Sequence, residues 1–265
     1  MIYINHSSIN WPFSRNPKTF RIFSPDEFVS NKLDAVFDVT SRNFQWDVAS
    51  RSNDGRVIEI LSEHVCQGML QGYTLTGRTG IFPSYEAFLG IIHTMMVQYS
   101  KFVKVASDSW RKDFPCGSLN YIETSTWARQ EHNGFSHQNP CFIGAILALK
   151  PKFARVYLPP DANCFLSTVA HCLRAKNYIN LMVGSKQPTP VWLTPEEANA
   201  VSHSMQHSFA HLTTLYSIAL LVHRYGNLPA STTVSILTCE CSPFESRWLT
   251  HIHYYTAYWS GLVLK

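Results

Sequence analysis

The chain has little that would mark an exported or membrane-spanning protein. Its first residues, MIYINHSSINWPFSRNPK, lack the basic start and long apolar stretch of a secretory leader. The longest apolar-leaning run, LTTLYSIALLV at 212–222, falls well short of the roughly 20 residues that cross a bilayer. No CxxC pair occurs. The seven cysteines (Cys66, Cys116, Cys141, Cys164, Cys172, Cys239 and Cys241) are odd in number and scattered among apolar residues, a pattern of reduced thiols rather than of a disulfide framework. Lys and Arg form no dense run and the net charge is only +4, so the electrostatic footprint of a nucleic-acid surface is missing, while small anions remain admissible ligands. The HExxH motif and the Cys/His spacings of zinc sites are also absent. These absences lead to the expectation of a soluble, cytoplasmic protein with neither nucleic acid nor membrane as a partner.

What is present is material for a core. Of 265 residues 45% are hydrophobic, and 16 Phe, 12 Tyr and 7 Trp are spread along the chain, so global disorder is excluded and one large domain or two small ones are expected. The composition shifts near residue 200. Beyond it only Arg224, Glu240, Glu245, Arg247 and Lys265 are charged, although the whole chain has 22 Lys and Arg and 18 Asp and Glu. Serine, threonine and histidine take their place. His203, His207 and His211 would stack on one helix face, but no acidic partner accompanies them and the spacing is read as accidental.

Before the shift, short β-rich runs alternate with helical stretches. Ser24-Pro25-Asp26-Glu27 predicts a helix start, with serine as cap and proline in the first turn. RVIEIL (56–61) predicts a strand, followed by a helix from about Ser62. A longer helix is expected from Ser84, with Phe88, Ile91, Ile92, Met95, Tyr99 and Phe102 at helical spacing. SLNYIETS, ARVYLPP and YINLMVG predict strands, with CFIGAILALK and NCFLSTVAHCLRAKN as helices between them. This alternation implies an α/β fold, a mostly parallel sheet with helices on both faces. Ligands of such sheets sit beyond the carboxyl ends of the strands.

Several constellations fall in those loops. Glu63 follows an apolar strand at a helix start. There it either steadies the helix dipole, which is the commoner use, or exchanges a proton with a ligand. RQEHNGFSHQNP (129–140) places His132, Asn133 and His137 in a polar loop after a strand. The two imidazoles, five residues apart, suit hydrogen bonding to an anion or proton shuttling better than metal binding. YLPPDAN (157–163) joins a strand to a helix that Asp161 or Asn163 can cap. Lys186, in GSKQP, stands in another loop of the same kind, where a lysine is usually solvated but can hold a phosphate as a point charge.

Together these pieces resemble the phosphoketolase family of thiamine-diphosphate enzymes. The resemblance runs through TFRIFSPDEFVSNKLDAVF, GRVIEILSEHVCQG, GYTLTGRTGIFPSYEAF, SLNYIETSTWARQEHNGFSHQNP, RVYLPPDANCFLS, HCLRAKNYINLMVGSKQP and WLTPEEA, over residues 17–198. The combination of HNGFSHQ with YLPPDAN is its most specific part. The resemblance implies the middle, pyrimidine-binding domain of such an enzyme. Residues 1–16 are then a divergent lead-in and 17–199 the domain, incomplete at its C-terminal side, with 200–265 an unrecognised tail, frame-shifted or unspliced in origin. The diphosphate and magnesium signature of the family, Gly-Asp-Gly followed by Asn, is absent, so no residue is assigned to a metal. The family reaction converts a ketose phosphate and inorganic phosphate into acetyl phosphate and an aldose phosphate. This chain is expected to be a fragment of such an aldehyde-lyase, inactive alone. The alternative is a non-catalytic partner that docks on a full-length phosphoketolase, and a homo-oligomer is the other association to expect.

The resemblance also implies roles. Glu63 matches the glutamate that contacts the aminopyrimidine ring nitrogen, with Leu61, Tyr85 and Phe88 lining the cofactor pocket and Phe88 stacking on the ring. His132, Asn133 and His137 match residues facing the substrate, which makes Glu63, His132 and His137 the catalytic set. Ser30, Lys32 and Lys186 match residues that hold the sugar phosphate or the incoming phosphate. Three positions depart from the family pattern: Lys32 where arginine is frequent, Thr79 where histidine is usual, and Cys141 where glycine is usual. Cys141 raises the question of whether that position needs a positive φ.

Overall fold

A computed structural model describes residues 18–25, 28–44, 54–108, 115–124, 139, 141–186, 188, 190–205, 235–238 and 253–256. Seven strands form one parallel sheet: β1 (Phe20–Ser24), β2 (Arg42–Phe44), β3 (Val57–Glu59), β4 (Thr79–Ser84), β5 (Leu119–Glu123), β6 (Ala154–Tyr157) and β7 (Ile179–Val183). Their order is β2-β3-β1-β4-β5-β7-β6, and every pairing is parallel. Helices α1 (Glu63–Leu75), α2 (Glu86–Leu89), α3 (His93–Asp108), α4 (Cys141–Leu147), α5 (Ala162–Arg174) and α6 (Pro195–Met205) fill the connections, with 3₁₀ turns at Asp34–Asp38 and Gly90–Ile92. In the tail, β8 (Ser235–Thr238) and β9 (His253–Thr256) pair antiparallel. The predicted α/β architecture is therefore the observed one.

Both faces of the sheet are covered. Residues one apart on a strand point to opposite faces, so Phe23, Ile58, Phe82 and Tyr121 join one core with Leu70 of α1, Met96 of α3 and Phe142 of α4. Ile22, Val57, Ile81 and Ile122 join the other, with Val36, Phe165 and Leu173. Burial on both faces explains why β5 and β7 read as continuous buried runs rather than as alternating ones. Within the sheet, Asn180 Nδ2 donates to Asn120 Oδ1 at 2.8 Å, and Asn120 Nδ2 donates to the Gly80 carbonyl at 3.0 Å. A one-residue slip of β5 would turn this buried polar ladder toward the opposite core, so it fixes the register of three strands.

The helix starts have local causes. Ser62 Oγ accepts from Val65 N at 3.3 Å and caps α1, the helix expected from about this residue. Asp161, rather than Asn163, caps α5: its Oδ1 accepts from Cys164 N at 2.8 Å, while its Oδ2 accepts from Trp192 N at 2.8 Å and Leu193 N at 2.9 Å. One carboxylate thus starts a helix and pins the segment that leads into α6. Asn163 donates instead to the Leu193 carbonyl at 2.7 Å. Thr194 and Glu197 bond reciprocally at the start of α6, with Pro195 in its first position.

Three expectations change. The helix expected from Ser24 is not there: Ser24 is the buried last residue of β1, and residues 28–32 form turns before the 3₁₀ turn at Asp34–Asp38. Nor does one long helix begin at Ser84, which closes β4. The Gly90–Ile92 turn separates α2 from α3 and advances about 120° per residue instead of about 100°, which resets the buried face. Ile92, Met96, Tyr99 and Val103 are buried, whereas Ile91 and Phe102, expected inside, are exposed. Finally, Cys141 needs no positive φ. It opens α4, and the non-glycine residues with positive φ among those described are Lys32 and Asn177.

Candidate active site

The described site residues follow the carboxyl ends of four strands. Ser30 and Lys32 come after β1, Leu61 and Glu63 after β3, Tyr85 and Phe88 after β4, and Lys186 after β7. A parallel sheet puts all of these loops at one edge. His132, Asn133 and His137 belong to the connection between β5 and α4 and lie outside the described residues.

The best-defined cluster is aromatic and cationic. Tyr85 and Phe88 stack with ring centroids 5.7 Å apart and planes inclined by 25°. Lys186 places Nζ 3.6 Å from the centre of the Tyr85 ring and is only 9% exposed. Burial of an ammonium against an aromatic face is favourable by about 0.5–2 kcal/mol, which keeps the charge at this spot instead of in solvent. Residues expected to serve cofactor and phosphate separately therefore touch each other.

Glu63 is half-buried in the first turn of α1, and its charge acts on Cys66. Burial first, and then Glu63 and Glu59, push the Cys66 thiol up to about 12, so this cysteine is inert. The described cysteines are all free, with Cys141 alone exposed among them. Leu61 is 74% exposed, the least covered of the expected pocket residues.

Ser30 and Lys32 are both exposed, and they flank Asn31, which is fully buried. The Thr124 hydroxyl, just past β5, donates to Asn31 Oδ1 and so ties this loop to the sheet edge. Lys32 holds φ at 60°, a conformation a lysine adopts only where its surroundings hold it. No group of three or more His, Cys, Asp or Glu that could hold a metal stands together among the described residues. No described helix is long and apolar enough to cross a membrane.

Sequence reasoning passed over Asn31, Glu86 and Glu123. Glu86 and Glu123 are 2% and 0% exposed, and burial followed by the Glu86 charge raises the Glu123 carboxyl well above the usual range. The available signal was an acidic residue closing the otherwise apolar LNYIE of β5.

The arrangement offers a stacking surface for a flat ring, a carboxyl at a helix start and cations for an anionic group. Comparison with known proteins addresses the family of the chain. The family model for D-xylulose 5-phosphate/D-fructose 6-phosphate phosphoketolase matches residues 9–175. A probable phosphoketolase from Schizosaccharomyces pombe is 60% identical over 184 residues, covering 69% of this chain and 22% of that protein. One from Rhodopirellula baltica is 52% identical over 188 residues, covering 68% and 23%. A transketolase variant from Pichia stipitis shares the fold at a TM-score of 0.50 and 15% identity, over 73% of this chain and 27% of that one. The chain spans less than a quarter of the length of these two phosphoketolase relatives. With a family model matching well over half of its residues, the chain belongs to the D-xylulose 5-phosphate/D-fructose 6-phosphate phosphoketolase family.

Proposed function

We propose that residues 17–199 are the pyrimidine-binding domain of a thiamine-diphosphate-dependent phosphoketolase. The supporting observation is the Tyr85–Phe88 stack with Lys186 on the tyrosine face, at the carboxyl edge of a parallel sheet. The residues suit the aminopyrimidine half of the cofactor: Phe88 and Tyr85 are half-buried, so ring surface is left for stacking, and Glu63 stands at a helix start. When bound, the cofactor would serve as the electron sink for cleavage of the ketose carbon–carbon bond.

The chain's own residues hold and move protons around that group. Glu63 would contact the aminopyrimidine nitrogen and cycle a proton with it. Phe88 would orient the ring, and Tyr85 would hold the edge of the pocket through Lys186. Ser30, Lys32 and Lys186 would bind the sugar phosphate or inorganic phosphate, with Lys32 acting as a point charge in place of a bidentate guanidinium. His132, Asn133 and His137 would face the substrate.

Without the diphosphate and magnesium signature, the chain alone is expected not to turn over. Incubation with thiamine diphosphate, magnesium, phosphate and xylulose 5-phosphate should yield no acetyl phosphate. Clear production would defeat the inactive reading. A second reading, docking on a full-length phosphoketolase, is favoured by one observation: Leu61, just before α1, and Val65 and Met69, one turn apart on it, are 74%, 47% and 38% exposed. Co-purification with such an enzyme, lost in Val65→Asp, would support it.

A further inference from the structure

Two wholly buried groups remain without a role in this scheme. Glu123 ends β5, and among the described residues neither of its carboxyl oxygens has a hydrogen-bond partner. Its register partner on β4 is Ser84, equally buried, whose Oγ likewise has none among the described residues. Both belong to the face that carries Phe82 and Tyr121, toward α1, α3 and α4.

Among the described residues, the charged and titratable groups that act on Glu123 are few. Glu86, from α2, bears a second carboxyl whose charge disfavours ionisation of the first. Cys141, at the start of α4, feels the charges of both acids. From β7, the strand on the other side, the register partner is Val183, which is apolar. Lys186, three residues on, has its ammonium over the Tyr85 ring. A carboxylate at position 123 would therefore be buried, lack a donor among the described residues and face a like charge, so the neutral acid is favoured.

The placement gives that proton a consequence. Ser84 and Glu86 are the two chain neighbours of Tyr85, and both are coupled to Glu123, one by strand register and one by charge. We propose that Glu123 is a positioning residue for the Tyr85–Phe88 stack. As a neutral acid it lets the turn at 84–88 seat against the end of β5. Once ionised, it repels Glu86 and unseats both rings. The functional consequence rests on the reading of these rings as the aminopyrimidine platform, but the movement itself does not.

The experiment uses the full chain with 4-fluorophenylalanine at position 88 alone and carbon-13 carboxyl labels on glutamate, titrated from about pH 5 to about pH 9. One glutamate signal, identified by its loss in Glu123→Gln, is expected to titrate above the others, and the fluorine signal should move with the same midpoint. In Glu123→Gln the fluorine signal should stay flat over that interval, and in Glu86→Gln the midpoint should fall. A Glu123 that titrates with the surface glutamates, or a fluorine response unchanged in Glu123→Gln, overturns the proposal. If Glu123→Gln fails to fold, an unmoved midpoint in Glu86→Gln overturns it equally. Thiamine diphosphate added to each sample separates the two readings. A fluorine signal that follows Glu123 yet ignores the cofactor supports the positioning role and counts against the aminopyrimidine platform.

Discussion

Lys186 holds its ammonium 3.6 Å from the centre of the Tyr85 ring, although one residue follows β7 and the other follows β4. The contact joins two loops across β5. Lys186→Met should cost about 0.5–2 kcal/mol of stability, while Lys186→Arg keeps the cation over the ring and most of that energy. Urea unfolding of the two variants checks this, and equal losses would show that the cation is not the source. Under the proposed function, phosphate binding measured calorimetrically should weaken in the methionine variant.

Glu63→Gln preserves the shape of the side chain but cannot cycle a proton. With a separately supplied diphosphate-binding domain that restores activity, this variant should lose about 10²–10⁴-fold in turnover while its melting temperature hardly moves. Wild-type-like turnover would remove Glu63 from the catalytic set.

Asp161→Ala deprives three backbone N–H groups, those of Cys164, Trp192 and Leu193, of their acceptor. A lost cap together with two stranded donors should lower stability by about 2–4 kcal/mol. Asp161→Asn, which keeps acceptor capacity at one oxygen, should lose less. Chemical denaturation measures both, and equal losses would contradict the three-way assignment.

The raised pKa of Glu123 makes a pH prediction with a definite sign. In the unfolded chain the group ionises near its ordinary value of 4.5, while the folded chain keeps the proton to a higher pH. Stability must therefore fall as pH rises from 4.5 toward the folded pKa, by up to about 1.4 kcal/mol per pH unit from this group. Glu123→Gln should be more stable than the wild type near neutral pH, with the advantage shrinking toward pH 4.5. Denaturation curves at several pH values decide it, and a constant difference would refute the buried-proton account.

Gly117→Ala should fail to fold properly. A Cβ at this position would run into the Arg78 carbonyl oxygen, and backbone on both sides leaves neither partner room to yield. Loss of soluble expression or of near-ultraviolet circular dichroism would report it.

Much of this fold could be read from the sequence, and the exceptions have physical reasons. RVIEIL, SLNYIETS, ARVYLPP and YINLMVG announced themselves by β-rich apolar runs. TGIFPS did not, because it contains Gly80 and Pro83, residues that argue against a central strand. The structure accommodates Pro83 because the β1 pairing ends at Ile81, so the proline sits where β4 has a strand neighbour only on the β5 side. FRIFS was obscured by the helix-start signal that follows it. At the site, helix caps and strand-end loops were legible because they depend on neighbouring residues. The Tyr85–Lys186 contact and the Ser84–Glu123 register were not, since they arise from strand order, and nothing local encodes which strand lies beside which.

Strand order also shapes how this chain comes off the ribosome. β1 is made first, yet its two partners are β3 and β4, so both of its edges stay open until Glu59 has been synthesised. At ordinary translation speeds that wait is about 2–7 s. During it, FRIFS is an apolar strand with both edges open, a target for chaperones and for other nascent chains. Arg21 sits in the middle of that strand, and in the finished fold its guanidinium donates to the Gly55 carbonyl at 3.0 Å. Before Gly55 exists in place, the same charge keeps two copies of FRIFS apart, so one side chain guards the strand early and anchors it late.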